Sequence, residues 1–417
     1  SILNITPADF AGLYARFDEI RNDINMMQMS ALDELLPLVK CAEVLAQKYD
    51  VVVTNPPYMG SDSMSGKLKD FVTKNYYDVR YDIYAAFIKK CLYIKNNYGF
   101  VSMITQNSFL FALCFDRLRE ELICSTNIVN ALHLGPRAFE DISGEVVQTI
   151  AIIFTQKIPK RKSRFVRLVD YSERKELHFR EESPADVDCD FFSKLPNKVF
   201  AYSLSEAMKI LCLNSSKIGD KFISKAGVVT GKDDYFLRYW HEPSYAEFDL
   251  HATDTTSKYV PFSKGGSFAK WYGNIAYALK LADLWNDSKV NKSVRRGDKS
   301  AYFQKCIGWS YMGGGNNKNF SILENCVCGT GTPTILCNNE VIFFYTLGFL
   351  NTKIPQRFIE LFNPTLNTYA SDICNLPYVD YGGKEYISEI VQECIDEARV
   401  NWNSYETSWD FKRNPLV

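Results

Sequence analysis

A run of three valines and a threonine, Val51-Val52-Val53-Thr54, stops abruptly at Asn55-Pro56-Pro57-Tyr58. Nothing else in the chain restricts its fold as tightly. A short apolar, β-branched run without alternation is the pattern of a buried strand in an α/β sheet. Two consecutive prolines then end the ladder. Each fixes its own φ, removes a backbone donor and restricts the residue before it. The outcome is a rigid loop at the carboxyl end of a strand, where open α/β sheets bind their ligands.

The surrounding pattern agrees with that placement. Residues 1–48 read as a helical segment leading into the core, with Leu13, Phe17, Ile20, Ile24 and Met27, then Leu32, Leu35, Leu36 and Val39, at helical spacing. From Val51 onward strands alternate with helices. Residues 51–54, 100–104, 128–134 and 146–154 read as strands, and 82–96 and 113–124 as helices. Alternation of this kind predicts a mostly parallel, doubly wound sheet. Lys157, Lys160, Arg161, Lys162, Arg164 and Arg167 then cluster around Pro159, and polar residues follow through Asp190. A charge run of this sort is first a solvated face, with phosphate contact as the second reading. Beyond about residue 195 the apolar runs shorten and turn residues multiply, as in a mixed α+β domain. The expected boundaries are 49–185 for the α/β part, 195–380 for the α+β part and 381–417 for a helical tail or linker.

The loop has chemistry of its own. An exocyclic amine on a purine is a poor nucleophile because its lone pair is delocalised into the ring. Two acceptors on its two hydrogens favour a more tetrahedral nitrogen, whose lone pair can then meet an electrophile. The Asn55 side-chain carbonyl and the Pro56 backbone carbonyl are suited to that work, and Pro57 stiffens them in place, a pre-organisation of the kind that carries electrostatic catalysis. The Tyr58 ring offers a face on which a base drawn from the duplex can stack.

The residues that follow carry a family resemblance. Asp82-Ile83-Tyr84-Ala85-Ala86-Phe87, residues 99–109 beginning Gly99-Phe100-Val101, and Gly144-Glu145-Val146-Val147-Gln148-Thr149-Ile150 follow Asn55-Pro56-Pro57-Tyr58 in the order found in N6-adenine DNA methyltransferases. The chain resembles the second half of their catalytic domain followed by a target-recognition domain. The wording from Lys48 to Gly60, and Trp402 to Trp409-Asp410-Phe411, looks most like the PglX methyltransferases of BREX phage-defence systems. The resemblance implies an α/β, partial Rossmann-like methyltransferase sheet followed by an α+β target-recognition domain. It makes Asn55, Pro56, Pro57 and Tyr58 catalytic. It gives Asp82 and Phe87 to S-adenosylmethionine and places Phe139 as a second aromatic against the flipped base. As a loop residue before a strand, Phe139 also has a plain core reading. The chemistry calls for no metal. Glutamine methyltransferases of release factors use a similar loop, but they end near their sheet, and a large region follows it here.

One part of the family pattern is missing. The glycine-rich turn that holds the cofactor precedes the catalytic loop in these enzymes, yet before Asn55 the one glycine is Gly12, with no strand ahead of it. The expectation is therefore a chain that starts partway through the catalytic domain and binds S-adenosylmethionine poorly by itself. A DNA-recognition or scaffold subunit with a vestigial methyltransferase half is the alternative.

Charge distribution matters more than the net charge of −1. Between Lys258 and Lys305, Lys264, Lys270, Arg295, Arg296 and Lys299 belong to a basic strip interleaved with Trp271, Tyr272, Trp285 and Tyr302. Such a strip suits double-stranded DNA, with cations on phosphates and aromatic groups near bases. Other phage-defence proteins are partners that the resemblance implies. Asp233 and Asp234 read as turn residues, and His133 as a core histidine on a strand. Gly313-Gly314-Gly315 lacks the lysine and hydroxyl of a phosphate cradle and reads as a loop. The 12 cysteines form no C-x-x-C pair and accompany only 4 histidines. Those thiols read as reduced, and no stretch is long and apolar enough for a membrane span, so a cytoplasmic protein is expected.

Overall fold

The alternation that begins at residue 51 folds into one six-stranded sheet. The computed structural model describes residues 7–22, 26–138, 148–159, 161–266, 269–313, 318–406 and 408–414. It divides into two units, Ser1–Tyr202 and Ser203–Val417.

In the first unit, helices α1 (Pro7–Asn22) and α2 (Met26–Ala46) pack on each other. They bury Phe10, Phe17 and Leu32 but leave Leu13 and Leu35 exposed. After them come β1 (Tyr49–Thr54), α3 (Gly66–Asn75), α4 (Ile83–Ile94), β2 (Lys95–Gln106), α5 (Asp116–Ser125) and β3 (Thr126–Gly135). The unit continues with β4 (Thr149–Gln156), β5 (Ser163–Arg167), α6 (Lys175–Glu181) and β6 (Ala185–Val187). The strand order is β1-β2-β4-β3-β5-β6. The core alternates along the strands: Val101 and Met103 of β2, Ile150, Ile152 and Phe154 of β4, and Ile128 and Ala131 of β3 are buried.

Two expectations are corrected. The sheet is mixed, because only β1–β2 and β3–β5 are parallel while β2–β4, β3–β4 and β5–β6 are antiparallel. Strand β4 inserts between β2 and β3, antiparallel to both. Nor is β1 buried. It forms an edge of the sheet, with Val51 59% and Val53 72% exposed. In the basic cluster after β4, Lys157 pairs with Asp190, Arg164 with Asp186 and Arg167 with Asp170. Lys160 lies outside the described residues.

The second unit begins with α7 (Glu206–Asn214), β7 (Ser216–Lys217), β8 (Ile223–Lys225), α8 (Asp233–Phe236), β9 (Leu237–Tyr239), β10 (Tyr259–Ser263), β11 (Trp271–Tyr272), β12 (Tyr277–Lys280) and α9 (Leu281–Asp287). It continues through β13 (Cys306–Gly308), β14 (Ser321–Leu323), β15 (Val327–Cys328), β16 (Thr334–Leu336), α10 (Glu340–Leu350), α11 (Lys353–Phe362), α12 (Ala370–Cys374), β17 (Pro377–Tyr378) and α13 (Lys384–Asn403). Its strands form the sheets β15-β10-β12-β9 and β11-β14-β13-β16-β8, with β17 paired to β7. Such short strands hold few ladder bonds, and side-chain cores supply the cohesion. One core gathers Val260, Phe262, Leu279, Leu284 and Val327, and another Ile275, Cys306, Leu323 and Cys326. Before α8, Val228 and Val229 form isolated bridges to Gly329 and Arg295. Within 381–417, expected as a helical tail or linker, α13 lies on α10, and the Trp402 ring covers Gly273.

Candidate active site and basic surface

Parallel pairing of β1 and β2 sets Thr54 beside Met103, so both strands end at the same rim of the sheet. The loop of residues 55–58 leaves one end and Asn107-Ser108-Phe109 leaves the other. Because Pro56 and Pro57 have no N–H, the loop draws its order from side chains and from its far end. The Tyr58 hydroxyl lies 3.2 Å from Asn55 Oδ1 and 3.3 Å from the Ile104 carbonyl oxygen, able to donate to either. Asn55 is exposed, Pro56 buried and Tyr58 half-buried. Burial raises the Tyr58 pKa above its ordinary value of 10.0, so the hydroxyl remains a donor near neutrality.

The third wall of the site is the start of α4. Asp82 is its N-cap, and the Asp82 Oδ1 accepts the Tyr84 N–H at 3.3 Å and the Met59 N–H at 3.1 Å. Gly60 bridges Asp82 across the backbone. Burial pushes the Asp82 carboxyl upward, and its backbone donors pull it back. One residue into the helix, Tyr84 is fully buried. Its hydroxyl meets Ser108 Oγ at 2.7 Å and its ring stands edge-on to Tyr58, 6.5 Å between centroids. Tyr84 also packs on Phe109 and Phe115. Phe87 is half-buried on the same helix.

Behind the rim lies a buried polar relay. Asn107 Nδ2 meets His133 Nε2 at 2.8 Å and Gln148 Oε1 at 3.2 Å, while His133 Nδ1 meets the Tyr202 hydroxyl at 2.7 Å. Burial lowers the His133 pKa to about 3, in keeping with a neutral core histidine. The sequence reading had not singled out Tyr84, Ser108 or this relay. An Asp directly before an apolar run is an N-cap signal, and it could have set the start of α4 at Ile83.

Asn55, Pro56, Pro57, Tyr58, Asp82 and Phe87 thus belong to one region of the first unit. Phe139 lies outside the described residues. In the second unit, Lys264 pairs with Asp233 at 2.8 Å and lines a groove of about 770 Å³ with Thr230, Lys232 and Gly331. Arg295, Arg296 and Lys299 line a neighbouring groove of about 760 Å³, and Val229 and Thr330 border both. Arg296 sits over the Trp285 ring at 4.3 Å and Lys299 at 5.7 Å. Lys270 is not among the residues lining either groove; it donates to the Asn351 carbonyl at 3.3 Å and lies over Trp271. Four of the five expected cations therefore flank one segment, and the fifth stands elsewhere.

Comparison with known proteins places these features in company. Residues 13–139 match the family model of the Eco57I restriction-modification methylase. The chain is 30% identical over 407 residues to the adenine-specific methyltransferase PglX of Lacticaseibacillus casei (strain Zhang), covering 92% of this chain and 34% of that protein. It is also 30% identical over 432 residues to the adenine-specific methyltransferase BrxX of Escherichia coli O9:H4 (strain HS), covering 100% of this chain and 35% of that protein. The chain thus spans about a third of the length of these curated relatives. Among solved structures, the Type IIL restriction-modification enzyme MmeI, determined with DNA, shares the fold with a TM-score of 0.57 at 14% identity, over 88% of this chain and 51% of that one. A nuclease-deletion mutant of the Type ISP enzyme LlaGI, bound to a DNA substrate mimic, gives 0.53 at 14% identity, over 90% of this chain and 36% of that one.

Proposed function

We propose, on the premise that this chain is related over nearly its whole length to the PglX-type adenine-specific methyltransferases, that it supplies the acceptor side of a site methylating N6 of adenine in double-stranded DNA. The observation that carries this reading is the rim of the sheet. There the 55–58 loop sets an exposed Asn55 amide and a half-buried Tyr58 ring, 3.2 Å from hydroxyl to amide oxygen, on either side of the two prolines. A flipped adenine, whose extrusion costs a few kcal/mol, would stack on Tyr58. Asn55 Oδ1 and the Pro56 carbonyl would take the two amine hydrogens, and Oδ1 can do so while still accepting from Tyr58, since a carbonyl oxygen has two lone pairs.

S-adenosylmethionine, when bound, would supply an electrophilic methyl. Among the described residues no strand of the first unit's sheet ends in a glycine-rich turn; of the two groups that the resemblance gives to the cofactor, Phe87 stands half-buried on α4, while Asp82 accepts backbone N–H groups of Met59 and Tyr84. The second unit is then the target-recognition domain, with Lys264, Arg295, Arg296 and Lys299 contacting DNA and Lys270 in a separate position. The phage-defence setting, companion defence proteins and a cytoplasmic site of action belong to the same proposal. No helix among the described residues is long and apolar enough to cross a membrane.

The test is Asn55→Ala in the intact protein that carries this chain. Methylation of adenine, read by protection from a methylation-sensitive nuclease, should vanish while DNA affinity stays unchanged. Retained methylation would remove Asn55 from its assigned role.

A further inference from the structure

Pro56 and Pro57 leave the acceptor loop short of backbone donors, and the first N–H after Tyr58 is that of Met59. It is given to a side chain on another element, Asp82 Oδ1, at 3.1 Å. The same oxygen accepts the Tyr84 N–H at 3.3 Å and caps α4. One carboxylate oxygen therefore joins the loop to the first turn of the helix. Because a peptide unit is planar, holding the Met59 N–H also holds the plane of the Tyr58 carbonyl, and so the backbone that carries the Tyr58 ring. Backbone pairing extends the joint: Ile83 N–H donates to the Met59 carbonyl at 3.1 Å and Ser61 N–H to the Tyr81 carbonyl at 2.9 Å. A helix that buries Ile83, Tyr84, Ala85 and Ala86 is a firm anchor for such a tether.

We infer that Asp82 is a positioning residue, which holds the 55–58 loop against the N-terminus of α4 and acts on methyl transfer through Asn55 and Tyr58. The inference rests on the functional reading above and gives Asp82 a task different from the direct cofactor contact implied by the motif resemblance. Both backbone donors meet one oxygen, and the amide oxygen of an asparagine can take its place.

Three variants of the intact protein separate the roles. Asp82→Asn keeps an acceptor of the same reach. Asp82→Ser keeps a good helix cap but is one atom shorter, so it preserves α4 while leaving the Met59 N–H without its acceptor. Asp82→Ala loses both. Asp82→Asn is expected to keep kcat within about threefold of wild type, because the hydrogen bonds survive. Asp82→Ser should melt like wild type yet lose about tenfold or more in kcat, since small displacements of reacting groups are costly. The KM values for S-adenosylmethionine and DNA should not move. Amide exchange at Met59 should be slow in wild type and Asp82→Asn, and fast in Asp82→Ser. Wild-type kcat in Asp82→Ser, or a raised KM for S-adenosylmethionine with Met59 still protected, would overturn the inference. A wild-type protein that methylates nothing would overturn the functional reading and the catalytic half of this one with it, whereas Met59 exchange decides the tether independently.

Discussion

At the scale of single residues, the site region shows side chains committed to partners before any substrate arrives. His133 is the clearest case. Asn107 donates to its Nε2, so Nδ1 carries the proton toward Tyr202, and a second proton would set donor against donor. Its pKa falls to about 3 through burial, with Arg167 and Lys175 adding to the depression and Asp170 opposing it. Below the ordinary value of 6.5 the unfolded chain takes up a proton that the fold refuses. Stability is therefore complete above that pH and declines as pH falls toward the folded value, by up to about 1.4 kcal/mol per pH unit. Urea midpoints measured from about pH 7 to about pH 4 should drop for wild type. His133→Gln should flatten that slope; an unchanged slope would show that another group sets it. The sequence identified His133 as a core residue from its place on an apolar strand. It could not show the relay, since Asn107 and Tyr202 lie 26 and 69 residues away.

At the scale of elements, β1 and α4 decide where the loop sits, and both were readable from local pattern. Strand β1 spans Tyr49–Thr54 where 51–54 was expected, and α4 spans Ile83–Ile94 within the expected 82–96. The edge position of β1 was not readable, because a run of valines describes propensity and not which neighbours a strand obtains. Its one ladder depends on a close approach at Gly99. A Cβ there would stand 2.8 Å from the Asp50 carbonyl oxygen and 2.9 Å from that of Tyr49, both backbone atoms that cannot swing aside. Gly99→Ala should force β1 away from β2 and cost about 1–3 kcal/mol. Faster amide exchange confined to Tyr49–Thr54, with a lowered melting temperature, would bear this out. Unchanged exchange would mean that the strands tolerate the methyl group.

At the scale of the molecule, each unit keeps its own core, and the second is closed by its last helix. In α13, Val391 and Ile395 are buried, and Gly348 of α10 admits Val391 so closely that a Cβ would lie 2.7 Å from its Cγ2. Arg399 adds an ion pair to Glu324 at 3.1 Å and covers Tyr272. Ending the chain before Lys384 should therefore uncover α10 and abolish the cooperative thermal transition of the second unit, as followed by near-ultraviolet circular dichroism. A truncated chain that melts like the parent would return 381–417 to the status of a tail. By itself the sequence determined the rigid loop after β1, a helix within residues 82–96, the α/β and α+β character of the two parts, and a core histidine at His133. Each of these rests on short-range stereochemistry: proline geometry and the period of apolar residues. Tertiary structure alone decided the antiparallel insertion of β4, the exposed edge of β1, the separation of Lys270 from the other cations, and the use of Asp82 as a tether. Those depend on which distant segments meet, and contacts between residues far apart in the chain leave no local period to read.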